Sequence, residues 1–98
     1  MKRFEKDQAD EAIAYAAAGG QAFHVYPRLG MDAPACFQRS PLWAHLYDQD
    51  RFRLCETARR LGVNVIVVHR EGEVTQHVDL CGKPLARADA KCKDALNA

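Results

Sequence analysis

Between Gly62 and Gly72 the chain carries Val63, Asn64, Val65, Ile66, Val67 and Val68, a run in which five of six residues are β-branched aliphatics. Such a run is far too short to cross a membrane and too uniformly apolar for a surface strand. It predicts a strand buried on both faces and the centre of a sheet. Glu71 and Gly72 supply a turn, after which Val74, Val78 and Leu80 alternate with Thr75, His77 and Asp79, the pattern of a strand with one wet side. Together the two segments predict a β-hairpin over 63–80.

The rest of the chain is expected to cover that hairpin. An alanine-rich stretch from Ala9 to Ala18, opened by Asp7 and Asp10 and closed by Gly19 and Gly20, predicts a helix with Ala9, Ala12, Ile13, Ala16 and Ala17 on one face. Ala22 to Tyr26 alternates and stops at Pro27, predicting a strand with Phe23 and Val25 opposite His24 and Tyr26. From Pro27 to Pro41 the chain is irregular and reads as a long loop, holding Arg28 and Arg39. Leu42 to Tyr47 fits either a strand or a short helix, and its length and aromatic content favour the strand. Asp50 caps a helix from Arg51 to Leu61 with Leu54, Cys55, Ala58 and Leu61 as its stripe. A last helix starts near Pro84 and runs through Leu85, Ala88 and Cys92. The expected architecture is therefore an α/β (mixed α+β) domain over residues 1–98, with a three- or four-stranded mixed sheet and about three helices.

Charge excludes little and selects less. Fourteen Lys and Arg against thirteen Asp and Glu leave a net charge of +1, without the basic excess of a dedicated duplex-DNA binder. Cys36, Cys55, Cys81 and Cys92 are spaced too widely for a zinc ribbon or a redox dithiol, which favours reduced thiols. The N-terminal residues are charged and hold no apolar core of signal-peptide length, so a cytoplasmic setting without a membrane span is expected.

Chemistry-bearing residues are few. Ala58 to Val63 copies the end of a helix-turn-helix scaffold helix, but the valine run comes next in place of a recognition helix. Arg51, Arg53, Arg59 and Arg60 line a polar helix face. His77 and Asp79 share one strand face, and His45 or His69 would complete a coordination shell or an acid/base pair. Nothing matches a phosphate-cradling glycine loop or a nucleophile elbow, and no cofactor is called for.

Ala44, His45 and Leu46, the acid before the middle helix, the ending Ala58 to Val63, and His77 to Leu80 together resemble a small family of phage and bacterial proteins of unknown function, over residues 42 to 90. The resemblance implies a phage or prophage setting and draws His45, His77 and Asp79 together as one polar site. The leading expectation is a non-enzymatic accessory protein that binds another protein, such as a modulator of a host defence system, through Arg28, Arg39, Trp43, Arg53 and Arg60. A metal-assisted hydrolase or nuclease using His45, His77 and Asp79 is the alternative, and a weak nucleic-acid binder the third. The metal in such a site and the oligomeric state are not given by the sequence.

Overall fold

Period-2 alternation governs the sheet. The computed structural model describes residues 1–27 and 42–97. Along the chain lie β1 (Lys2–Phe4), a 3-10 turn (Lys6–Gln8), α1 (Ala9–Ala17), β2 (Gln21–Pro27), β3 (Leu42–Asp48), α2 (Arg51–Arg60), β4 (His77–Cys81) and α3 (Gly82–Asn97). The strands form one mixed sheet in the order β1-β2-β3-β4, with β1 parallel to β2 and the other pairs antiparallel. This is the four-stranded, three-helix α+β arrangement that the sequence predicts.

One face of the sheet makes the main core. Phe23 and Val25 of β2, Ala44 and Leu46 of β3 and Val78 and Leu80 of β4 pack against Leu54, Ala58 and Leu61 of α2 and its end and against Leu85, Ala88 and Cys92 of α3. Each fully buried Leu, Val or Phe contributes roughly 1.5–3 kcal/mol, so this face dominates stability. On the other face α1 covers only one end, where Ala12, Ala16 and Ala22 meet Phe4 and Tyr47.

The helix signals are locally specific. The Asp50 side chain accepts the Arg53 N–H at 3.0 Å and caps α2. The Glu5–Gln8 capping pair, in which the Gln8 side chain accepts the Glu5 N–H at 2.8 Å, opens the 3-10 turn; Asp7 lies inside that turn, and α1 follows from Gln8 without a side-chain cap, in place of the Asp7 cap expected. Gly19, at φ 102°, ends α1 in the left-handed region open to glycine, as the paired glycines predict.

The valine run departs from expectation. Residues 63–68 form no strand, and among the described residues the ladder contact of this segment is a single antiparallel bridge between His69 and His77. Val63, Ile66 and Val68 lean on the main core while Val65 and Val67 stay 79% and 52% exposed. Inward residues spaced three and then two apart do not fit the strict period of a strand, so core packing overrides β-propensity here. The sheet is consequently centred on β2 and β3, with β4 at an edge, and the predicted hairpin is reduced to its closing bridge. β1 was not expected: it is short and charged, and it is held by pairing with Ala22 to His24 and by burial of Phe4. The expected loop from Pro27 to Pro41, with Arg28 and Arg39, falls on 28–41, outside the described residues.

A buried carboxylate anchors the join between sheet and helices. Asp48, 0% exposed, receives two 2.7 Å bonds from the Arg53 guanidinium, one from Gln21 Nε2 at 2.9 Å and one from the Asp50 N–H at 2.9 Å. The same guanidinium donates to the carbonyls of Gly19 and Gly20. One fork thus ties α2, the end of α1 and β3 together.

Candidate metal centre

The second face of the sheet is polar by the same alternation that makes the first face apolar. His24 and Tyr26 of β2, Trp43, His45 and Tyr47 of β3, and His77 and Asp79 of β4 all point to it. Register does the rest. His24 stands opposite His45, His45 opposite Asp79, and Tyr47 opposite His77. Directly opposed cross-strand side chains are close neighbours, so residues far apart in sequence meet in one patch. The His24 and His45 rings stack 6.0 Å apart at 10°, and His45 meets His77 edge-on at 4.6 Å.

His45, His77 and Asp79 each offer a ligand atom, and these atoms all lie within 4.8 Å of one another. Asp79 Oδ1 sits 3.2 Å from His77 Nε2 and 3.7 Å from His45 Nε2. Bonds of 2.0–2.1 Å around a tetrahedral ion separate neighbouring ligand atoms by roughly 3.3 Å, close to both distances.

Each of the three side chains is oriented from behind. His77 Nδ1 is 2.7 Å from the Thr75 carbonyl, an acceptor only, so this nitrogen carries a proton and donates. In the neutral ring Nε2 is then a bare lone pair directed at a carboxylate oxygen, an arrangement that needs a shared cation, either a second ring proton or a metal ion. His45 lies between two hydroxyls, Tyr47 at 3.2 Å from Nδ1 and Tyr26 at 3.2 Å from Nε2. With Nδ1–H donated to Tyr47, its Nε2 faces Asp79. Asp79 Oδ2 faces His69 Nε2 across 3.3 Å. Asp79 Oδ1 is itself buried, and its nearest polar neighbour is His77 Nε2, which bonds it only when that ring carries a second proton.

Burial sets the protonation of the patch. Desolvation, followed by the charge of His77, lowers the His45 pKa to about 4, so this ring is neutral near pH 7, with an Nε2 lone pair that accepts from Tyr26 and that a metal ion would have to take over from that hydroxyl. For Asp79, burial works toward the neutral acid, but the close His77 ring and the charges of His77, His45 and His69 outweigh it and hold the carboxyl below its usual range. Burial and the neighbouring Asp79 raise the Tyr26 and Tyr47 phenols, which stay protonated. His24 Nε2 lies 3.1 Å from the Lys6 carbonyl, while its buried Nδ1 has no partner.

The three residues singled out from the sequence therefore converge. The supporting groups, Tyr26, Tyr47, His69 and the Thr75 carbonyl, become visible only once the register is known, although the alternation of His24 with Tyr26 and of His45 with Tyr47 already puts them on one face. Of the expected partner-binding residues, Trp43 is half-buried with its ring edge-on to Tyr26 at 6.2 Å, and Arg60 is exposed beside Glu56 at 3.3 Å. Arg53 is engaged by Asp48, which makes its role structural in the first place. Among the described residues no helix is long and apolar enough to cross a membrane. No family model, curated protein or solved structure matches the chain.

Proposed function

We propose that the protein binds a divalent transition-metal ion through His45, His77 and Asp79 and uses it for metal-assisted hydrolysis. The observation that carries this reading is the convergence of ligand atoms from His45, His77 and Asp79 within 4.8 Å of one another, with Asp79 Oδ1 flanked by the Nε2 atoms of both rings. Two imidazoles and one carboxylate are a donor set suited to zinc and, with open positions, to other borderline metals such as ferrous iron. Three protein ligands leave a coordination position for water, whose pKa such an ion lowers toward neutrality. The Thr75 carbonyl, Tyr47 and His69 act behind the ligands, fixing tautomer and orientation.

Titration of Zn2+ into the metal-free protein, with metal content measured after dialysis, tests this reading. One bound equivalent is expected for the native chain, with binding lost in His77→Ala and Asp79→Asn. Retention of the same affinity in both variants, or absence of binding to the native chain, contradicts it.

A second reading, the accessory protein that binds a partner protein, is favoured by a separate observation. Val65, Val67 and Val74 are 79%, 52% and 56% exposed in the segment that flanks the sheet edge. Apolar side chains left to solvent along one short segment are the material of which a protein-protein contact is made. The phage or host-defence setting belongs to this reading and rests on the family resemblance alone.

A further inference from the structure

Beside β4 the predicted hairpin is left unfinished, and the gap has a defined shape. A groove of about 680 Å³ runs between Val63 and Val65 on one side and Asp79 of β4 on the other, with Lys83 and Arg87 of α3 at its end. These walls are the two arms that the sequence pairs as a hairpin. Only the rung nearest the turn is made: the His69 N–H donates to the His77 carbonyl at 2.8 Å, and the His77 N–H to the His69 carbonyl at 3.0 Å.

That rung fixes the direction of the main chain beyond it. In a strand the N–H and C=O of alternate residues point the same way, so the outward bonds of His77 mean that Asp79 also presents its N–H and C=O outward, away from β3. Among the described residues no hydrogen bond reaches the Asp79 main chain from that side. The opposite wall turns away, leaving Val65 79% exposed. The outward main chain of Asp79, facing a groove lined with β-branched side chains, is a template for strand addition.

We propose that this groove takes an extended segment of a partner protein, which pairs with the outer edge of β4 at Asp79. The proposal rests on the accessory-protein reading and names its contact surface. Charge complementarity selects the occupant. Lys83 is exposed at the end of the groove, and Arg87, which donates through Nη1 to the Leu61 carbonyl at 2.9 Å, adds a second cation one helical turn on. The fitting segment alternates β-branched residues, directed at Val63 and Val65, with an acidic residue directed at Lys83. Main-chain bonds supply the affinity, and the alternate side chains supply the selectivity.

Panning a displayed library of random octapeptides against the full chain, followed by hydrogen exchange on the complex with a selected synthetic peptide, tests the proposal. Selected peptides are expected to alternate β-branched and acidic residues and to slow exchange of the Asp79 amide. They should lose affinity about tenfold or more, roughly 1.4 kcal/mol, against Lys83→Glu or when a central proline is introduced. A thermal melt of Lys83→Glu matching that of the native chain separates lost contact from lost folding. Peptides that bind but leave the Asp79 amide unchanged and tolerate Lys83→Glu overturn the groove while sparing the accessory reading. An absence of selected peptides overturns both. Protection of Val67 and Asp79 amides in the free monomer shows that the chain closes its own hairpin, and a concentration-dependent dimer shows a second copy in the groove; either also overturns the proposal.

Discussion

The two faces of one sheet follow opposite rules. On the face covered by α2 and α3, side chains are apolar, fully buried and interchangeable in kind, and the energy lies in volume filled. On the other face, α1 covers one end and leaves histidines, tyrosines and Asp79 to satisfy one another through hydrogen bonds and charge. Both faces arise from the same alternation along β2, β3 and β4. What differs is whether a helix lies on top. The contrast teaches that filled volume holds one layer of this molecule together while hydrogen bonds and charge hold the other, so the two respond to different perturbations.

The largest effect is expected on the covered face. Leu46→Ala removes a 0% exposed side chain from the middle of the main core and should cost about 3–4 kcal/mol in denaturant unfolding, while leaving metal affinity per folded molecule unchanged. Arg53→Ala leaves the Asp48 carboxylate buried without its fork, and a loss of about 3 kcal/mol is expected by the same measurement, because Gln21 and the Asp50 N–H still hold the oxygens. If Arg53 instead served mainly as a partner contact, its replacement would change stability little.

The open face should respond to pH. In the unfolded chain His45 titrates near 6.5, whereas in the fold it stays neutral down to about 4. Between those values the unfolded state binds the extra proton, so stability is full above pH 6.5 and falls as the pH drops toward 4, by up to ~3 kcal/mol. Asp79, depressed in the fold, adds a loss of the same sign at still lower pH. His45→Gln, which keeps hydrogen-bonding capacity between the two tyrosines but cannot titrate, should flatten that slope and shift stability at pH 7 by about 1 kcal/mol or less. An unchanged slope would remove His45 from the account.

The smallest effect belongs to the turn that brings His69 to the site. Arg70, at φ 52°, sits in the left-handed region without being glycine. Arg70→Gly should therefore be neutral or stabilising by roughly 1 kcal/mol in thermal unfolding, and a clear destabilisation would show that the Arg70 side chain matters more than its backbone.

Much of the second face was legible because a strand declares its faces locally: Phe23 against His24, Leu46 against His45, Val78 against His77. One-sided placement on two strands and the family resemblance make His45, His77 and Asp79 a candidate site in the sequence, without telling whether they meet. The register that sets His45 opposite Asp79 is a long-range fact that no local pattern contains. Residues 63–68 misled because composition reports what a segment tolerates, whereas strand formation needs a partner edge, and here the core takes Val63, Ile66 and Val68 at spacings a strand does not offer. β1 was hidden for the opposite reason, since Lys2 and Arg3 look like a solvated terminus and only the pairing with β2 makes them a strand.

The central claim is that the open face of the sheet is built to hold a cation between two imidazoles and a carboxylate. The most direct measurement is a crystal structure of the zinc-soaked protein with anomalous scattering recorded at the zinc edge. The account predicts one strong peak about 2.0–2.2 Å from His45 Nε2, His77 Nε2 and Asp79 Oδ1. A fully occupied peak elsewhere, with these three side chains unmoved and unliganded, would contradict it.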